Sequence, residues 1–121
     1  MTRKRPVAII SMNPTLYEFV YDRANRERMK TLTNLVSPDC VPPNELRNQD
    51  LSQIEVLFTS WGSPHLSAET LGRMPNLKLV LYAAGSVKGL VGEGFWGRGL
   101  KLSSAWRANA LPVIEFTFAL I

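Results

Sequence analysis

One run of residues is the most informative about architecture: Leu77-Lys78-Leu79-Val80-Leu81-Tyr82-Ala83-Ala84-Gly85-Ser86. Its first seven residues are mainly branched and aromatic, which predicts a buried strand, and the small residues after them end it. Two comparable runs precede it along the chain, Pro6 to Ile10 and Ile54 to Thr59. The sequence therefore predicts at least three buried strands.

Helical patterns lie between these strands. Asn13 is predicted to cap a helix whose apolar stripe extends from Leu16 to about Leu32. Ser67 is predicted to cap a shorter helix from Ala68 to Met74. Strands that alternate with helices are typical of an α/β fold with a parallel sheet and helices on both faces.

The remaining segments are less regular. Pro38, Pro42 and Pro43 exclude a regular helix from the connector over 36–50. A short helix is expected around 95–98, and Lys101 to Ser104 is a candidate last strand.

A final helix is predicted to start at Asn109 as its cap, with Pro112 in the first turn, and to run to Ile121. This helix is apolar nearly all round and ends without a Gly cap or a basic turn, a pattern of helices buried inside something larger. We therefore expect the sequence to be the front part of a longer protein.

Composition narrows the class of protein. The chain has 121 residues, 45% of them apolar and 20% charged, which is typical of one globular domain. No apolar run is long enough for a membrane span or a signal peptide. A single Cys cannot form an internal disulfide, so we expect a reducing compartment, the cytoplasm. One Cys and one His argue against a zinc site, and no metal is expected.

The net charge of +4 does not indicate nucleic acid. The whole excess lies in residues 1–30, which hold seven Lys or Arg and three acids. These cations form a terminal cluster that includes Arg3 and one helix face, without the interleaved aromatic residues of a nucleic-acid site. A solvated surface is the favoured interpretation, and neither a nucleic acid nor a membrane is an expected partner.

Few residues are candidates for chemistry. His65 follows a proline in a turn near Ser60 and Ser63, but an exposed turn histidine is favoured over a hydrolytic triad. Cys40 lies beside Asp39, which raises a thiol pKa and argues against a nucleophile. No phosphate-binding glycine motif occurs.

The loops that follow Thr59 and Ala83 are better candidates, because ligands of parallel sheets lie beyond the carboxyl ends of the strands. In Ala84-Gly85-Ser86-Val87, small residues permit close approach, and successive N–H groups can bind a carboxylate. An ordinary strand-ending turn is the alternative.

The stretch from Leu77 to Ile121 resembles the D-isomer-specific 2-hydroxyacid dehydrogenases. Members of that family have a strand, a small-residue Gly loop, a segment ending in Arg-Gly, another strand, and a helix start of the type Val-Ala-Glu. The corresponding segments here are Leu79 to Val87, Trp96 to Gly99, Leu100 to Ser104 and Ala108 to Thr117. The resemblance covers about 45 residues, and the earlier part matches only in its pattern of elements.

The resemblance implies a two-domain oxidoreductase that transfers a hydride between a 2-hydroxy acid and a 2-oxo acid. Residues 1–108 would form a flavodoxin-like substrate domain, and 109–121 would start an interdomain helix. The Rossmann domain that binds NAD or NADP would lie outside this chain, together with the catalytic residues, so the chain alone is expected to be inactive. Family members are usually dimers, which implies a homodimer here.

The resemblance also implies site residues. Backbone N–H groups of Ala84, Gly85 and Ser86 would bind the substrate carboxylate, and Trp61 either lines the pocket or packs on the sheet edge. The interdomain helix would border the nicotinamide with three residues, Asn109, Pro112 and Glu115. The sequence departs from the family at Lys88, where an Asp is common.

Two other classes remain open. One is a non-enzymatic flavodoxin-like binding or regulatory module. A receiver domain would need acids after the first strand to bind magnesium, and Ser11-Met12-Asn13 has none. The other is a basic nucleic-acid binder, which the charge distribution disfavours.

Overall fold

The computed structural model of the chain describes residues 4–120 and contains one five-stranded, fully parallel sheet. The strands follow the spatial order β2-β1-β3-β4-β5. Their bounds are β1 Val7–Ile10, β2 Asn34–Leu35, β3 Val56–Thr59, β4 Leu79–Tyr82 and β5 Lys101–Ser104. The helices are α1 Tyr17–Val20, α2 Arg23–Leu32, α3 Ala68–Gly72 and α4 Trp106–Leu120, and two 3₁₀ helices span Pro43–Asn48 and Trp96–Arg98. The predicted α/β class is confirmed.

Two apolar layers cover the sheet, because successive side chains of a strand point to opposite faces. Ile9, Leu57 and Val80 belong to the layer under α3 and the 3₁₀ helices. Ile10 and Phe58 belong to the layer under α1 and α2. The three strands predicted from apolar runs are therefore the central strands of the sheet.

The single long helix predicted from Leu16 to Leu32 is wrong, since the chain forms two helices there. The Asp22 side chain accepts a hydrogen bond from Asn25 N–H (2.9 Å) and starts α2 as its N-cap. Asn13 caps no helix, and its Oδ1 accepts from Thr15 N–H in a tight turn (2.9 Å). The apolar spacing carried no sign of this break, because both helices pack on the same face.

The connector between α2 and β3 holds more structure than predicted. Asn34–Leu35 forms the short edge strand β2, which the sequence did not indicate. Pro43 begins the first 3₁₀ helix, a position whose N–H group has no acceptor within the helix, so a proline there costs no hydrogen bond. Arg73 fixes the end of this segment by donating to the Leu46 and Gln49 carbonyls (3.0 Å each).

The elements after β3 agree more closely with prediction. Ser67 caps α3 by accepting from Thr70 N–H (3.3 Å), although the helix ends at Gly72 rather than Met74. The predicted short helix near 95–98 and the predicted strand Lys101–Ser104 are both present.

The last helix starts earlier than predicted. α4 begins at Trp106, and Asn109 lies inside it as a donor to the Ala105 carbonyl (2.9 Å), so Asn109 is not the cap. Pro112 consequently falls in the helix interior rather than its first turn. No residue of α4 is buried. The predicted last residue, Ile121, and the basic residue Arg3 lie outside the described residues.

None of the helices in residues 4–120 combines the length and the apolarity needed to cross a bilayer.

Candidate functional site

The candidate site lies at the edge of the sheet where β3, β4 and β5 end. Beyond β4 the chain is tied to the end of β3 by two bonds. Ala83 N–H donates to the Thr59 carbonyl (2.9 Å), and Ser60 Oγ donates to the Ala83 carbonyl (2.8 Å). The position and orientation of Ala83 are therefore fixed from the β3 side.

The β5 side fixes the next residue. Ala105 N–H, at the junction of β5 and α4, donates to both the Tyr82 carbonyl (3.1 Å) and the Ala84 carbonyl (3.0 Å). The loop after β4 is thus held from both neighbouring strands before it reaches Gly85.

These anchors determine where the loop N–H groups point. In a trans peptide the N–H is opposed to the preceding carbonyl, and the described residues contain no cis peptide. The Ala83 and Ala84 carbonyls point to Ser60 and Ala105, so the N–H groups of Ala84 and Gly85 point away from them. No hydrogen bond within residues 4–120 uses the N–H groups of residues 84–87. Successive free N–H groups of this kind can bind an anion.

Gly85 also brings α4 to the loop. A Cβ at this position would lie 2.9 Å from Asn109 Nδ2, so the absence of a side chain lets Asn109 rest on the loop. The structure therefore brings together two residues that the sequence placed in different parts of the site.

The other residues predicted on α4 extend away from that contact. Pro112 lies one turn beyond Asn109 on nearly the same side, while Glu115 is about 9 Å farther along the axis and rotated by about 120° from Asn109. All three are exposed. Of these three residues, Asn109 is the one whose side chain lies against Gly85 in the loop after β4.

Trp61 lies at the same edge of the sheet but is held by different contacts. Its carbonyl accepts from Asn13 N–H (3.0 Å). The next residue, Gly62, adopts a φ of +71°, and a Cβ added there would lie 2.6 Å from Asn13 Cβ. Trp61 is 42% exposed. The turn after β3 is thus packed on the end of β1, and within residues 4–120 no hydrogen bond joins Trp61 to the loop after β4.

Sequence reasoning missed the residues that position the loop. The sequence suggests Ser60 only as a nucleophile, yet it orients Ala83, and Tyr21 Oη donates to the same Thr59 carbonyl (2.9 Å) that accepts from Ala83. Burial raises the pKa of the Tyr21 hydroxyl, which therefore stays protonated as a donor. The position of Ser60 in the sequence could have indicated this role. Ser60 directly follows β3, and a residue at the end of one parallel strand lies beside the end of the neighbouring strand.

Two buried hydroxyls lie beneath this edge. Ser11 follows β1 and Thr59 ends β3, and the register that pairs Ile10 with Phe58 places them side by side. Both side chains are fully buried, and neither hydroxyl has a hydrogen-bond partner within residues 4–120. They lie where the strand order changes direction, the point at which sheets of this kind bind ligands.

The remaining chemical candidates have structural roles. Burial raises the pKa of the Cys40 thiol, Asp39 adds to that increase, and a bond from Sγ to the Met12 carbonyl (3.4 Å) opposes it. His65 Nδ1 lies 3.2 Å from the Gly89 carbonyl oxygen. Within residues 4–120, no three His, Cys, Asp or Glu side chains are grouped to bind a metal ion.

A groove of about 610 Å³ lies between α2 and the faces of β4 and β5, and it reaches the site at Ala83 and Ala105. Its lining is largely apolar, and it holds one charged side chain, Arg28. Apart from hydroxyl groups, the described residues that line it offer no Asp, Glu, His, Cys or Lys side chain for acid–base or nucleophilic chemistry.

The architecture is that of an oxidoreductase-like α/β domain. A solved structure with this arrangement is the crystal structure of a phosphoglycerate oxidoreductase from Rhizobium etli, which has 25% sequence identity and a TM-score of 0.71. The alignment covers 96% of this chain and 36% of that one, so the chain spans about a third of the neighbour's length. No protein-family model and no curated protein matches the chain.

Proposed function

We propose that the chain is the substrate-binding part of a nicotinamide-dependent oxidoreductase that interconverts 2-hydroxy acids and 2-oxo acids. The main support is the series of N–H groups at Ala84, Gly85 and Ser86, which make no hydrogen bonds within residues 4–120. Ser60 and Ala105 fix this loop through the carbonyls of Ala83 and Ala84. The likeness to an oxidoreductase supports the reaction class. Phosphoglycerate, the compound in that neighbour's name, contains a carboxylate that such a loop would bind.

The residues of this chain would bind and orient the substrate. A carboxylate in the loop is neutralised by backbone dipoles rather than by a side chain, which leaves the carbon next to it open toward α4. A bound nicotinamide would supply or accept the hydride. Asn109 is suited to border it, because its side-chain amide makes no hydrogen bond within residues 4–120 and lies on Gly85. Pro112 and Glu115 would extend that border.

The cofactor would be NAD or NADP, bound mainly by a domain outside the described residues. Residues 4–120 contain no glycine-rich phosphate loop, which fits a role for this chain on the substrate side.

A titration of the isotopically labelled chain with D-lactate tests the carboxylate site. We expect the amide resonances of residues 84–86 to move together and to saturate. Ser86→Pro removes one N–H donor and should abolish the shifts, whereas Ser86→Ala keeps the donor and should retain them. Binding that survives in a folded Ser86→Pro variant, or shifts confined to other segments, would contradict the proposal.

Hydride transfer is tested on the complete protein with NADH or NADPH and a panel of 2-oxo acids, followed by cofactor absorbance. We expect turnover that is lost with Ser86→Pro. Carboxylate binding without any nicotinamide oxidation would favour the binding-module alternative instead.

A further inference from the structure

The loop after β4 continues beyond the free N–H groups into a turn with a lysine at its tip. Leu90 N–H donates to the Val87 carbonyl (3.0 Å), which closes a turn around Lys88 and Gly89. Lys88 is exposed, and its N–H faces Ser86 Oγ (3.4 Å). The ammonium group is therefore carried by the same loop that presents the N–H groups.

This turn is held in place at its far end. His65 Nδ1 lies 3.2 Å from the Gly89 carbonyl oxygen, and Leu66 N–H donates to the Leu90 carbonyl (2.8 Å). Gly92 N–H completes the attachment by donating to the Leu66 carbonyl (3.0 Å). The segment after β3 thus fixes where Lys88 stands relative to residues 84–86.

The charge of Lys88 is not compensated. It forms no ion pair within residues 4–120, whereas Lys30 and Lys78 each pair with a glutamate. The loops that follow β1, β3 and β4, and the first turn of α4, contain no Asp or Glu over 11–16, 60–67, 83–92 and 106–109. The next acid along the chain, Glu93, lies in a groove beside α3 together with Arg98.

The separation between Ser86 and Lys88 is compatible with one small substrate that contacts both residues. The Cα atoms of Ser86 and Lys88 are at most about 7.6 Å apart, so the flexible lysine side chain starts close to any small ligand that is bound at Ser86. One ligand can therefore contact the loop N–H groups with one acidic group and Lys88 with another.

We infer that Lys88 is a specificity-determining residue that binds a second acidic group, a phosphate or a carboxylate, on a 2-hydroxy acid whose first carboxylate occupies the 84–86 loop. This inference rests on the proposed function, because it needs the first carboxylate in that loop. A monoacid would leave the ammonium without a partner and would bind more weakly.

Matched ligand pairs test the inference on the labelled chain: glycerate against its 3-phosphate ester, and D-lactate against D-malate. We expect the member with two acidic groups to bind about 10-fold more tightly, the value of one added charged hydrogen bond. Lys88→Gln should remove this preference, and Lys88→Arg should retain it. The phosphate and carboxylate pairs then distinguish which second group is preferred.

Arg107→Gln is the control, because it also removes a cation near the site, from the first turn of α4. Arg107 precedes Asn109 by two residues and therefore lies on the side of the helix opposite to Gly85. The Arg107→Gln variant should prefer the ligand with two acidic groups as strongly as the wild type does. Equal binding of both members of each pair, abolished by Ser86→Pro, would overturn the role of Lys88 and leave the carboxylate site standing. A preference that persists in Lys88→Gln would also overturn it. Absence of binding by either member would overturn both proposals.

Discussion

The strand β3 and the helix α4 are both apolar in sequence, but they differ in their exposure to solvent. All four residues of β3 are buried, whereas α4 has no buried residue. Leu57 is fully buried in the first, and Leu120 is 72% exposed in the second. Apolar sequence indicates a tendency to be buried, but burial itself requires a neighbouring surface, which β3 has on both faces.

The sheet shows the same contrast within one layer. α1 and α2 cover β1 and β3, while the same faces of β4 and β5 border an open apolar groove. Parallel sheets are ordinarily covered on both faces, so this groove is, like α4, an apolar surface that the rest of residues 4–120 leaves uncovered.

The largest expected effect comes from truncating one leucine in each region. Leu57→Ala should lower the free energy of unfolding by about 2–5 kcal/mol, because it leaves a cavity in the packed layer. Leu120→Ala should change it by less than about 0.5 kcal/mol, since the side chain is exposed. Urea unfolding of both variants measures the difference. Comparable losses would mean that α4 is packed in solution.

A second prediction concerns the proline inside α4. Pro112 has no N–H to donate to the Ala108 carbonyl, and a proline costs roughly 3 kcal/mol relative to alanine in a helix interior. Pro112→Ala should therefore slow amide hydrogen exchange within α4 by up to about 100-fold while leaving the urea midpoint unchanged.

The control for that substitution is Pro43→Ala, at the first position of a 3₁₀ helix, where the missing N–H costs nothing. It should not increase protection in its own helix. A rise in global stability with Pro112→Ala would show that α4 and the sheet unfold as one unit.

A third prediction separates packing from backbone strain at the edge of the sheet. Gly62→Ala should cost about 1–3 kcal/mol, because φ is +71° and the new Cβ would lie 2.6 Å from Asn13 Cβ. Gly94→Ala has a similar φ of +85° with no atom within 4 Å, and should cost about 1 kcal/mol. Thermal unfolding measures both, and equal losses would rule out the contact with Asn13.

The smallest expected effect is a pH dependence within the sheet. Val7 N–H and then Lys78 hold the pKa of the Glu55 carboxyl below its ordinary value of 4.5. A group whose pKa is lowered on folding contributes stability above the unfolded pKa and loses it as the pH falls through the folded value. Stability should therefore decrease below about pH 4.5, and Glu55→Gln should reduce that decrease.

Glu27→Gln is the matched control, because Glu27 pairs with Lys30 on the exposed face of α2. It should leave the acid-side slope of the unfolding free energy close to that of the wild type. An unchanged slope in Glu55→Gln would assign the acid sensitivity to other groups.

Local pattern was enough to predict much of the fold. The apolar runs ending at Ile10, Thr59 and Ala83 became the three central strands, since a run of buried residues reflects an environment that is apolar on both faces. The small residues after Tyr82 marked the end of β4, where Ala84 is buried and Ser86 is exposed. The loop at 84–86 could thus be chosen as a candidate site from composition and position.

Other features depend on contacts between residues far apart in the chain. α4 starts at Trp106, directly after Ala105, whose N–H donates to the carbonyls of Tyr82 and Ala84, and no pattern near Asn109 predicts these bonds. The strand order, the anchoring of Ala83 by Ser60 and the placement of Asn109 on Gly85 are of the same kind. Periodicity and turn chemistry act over a few residues and define the elements, whereas the directions of the loop N–H groups arise only when β3, β4 and β5 lie side by side.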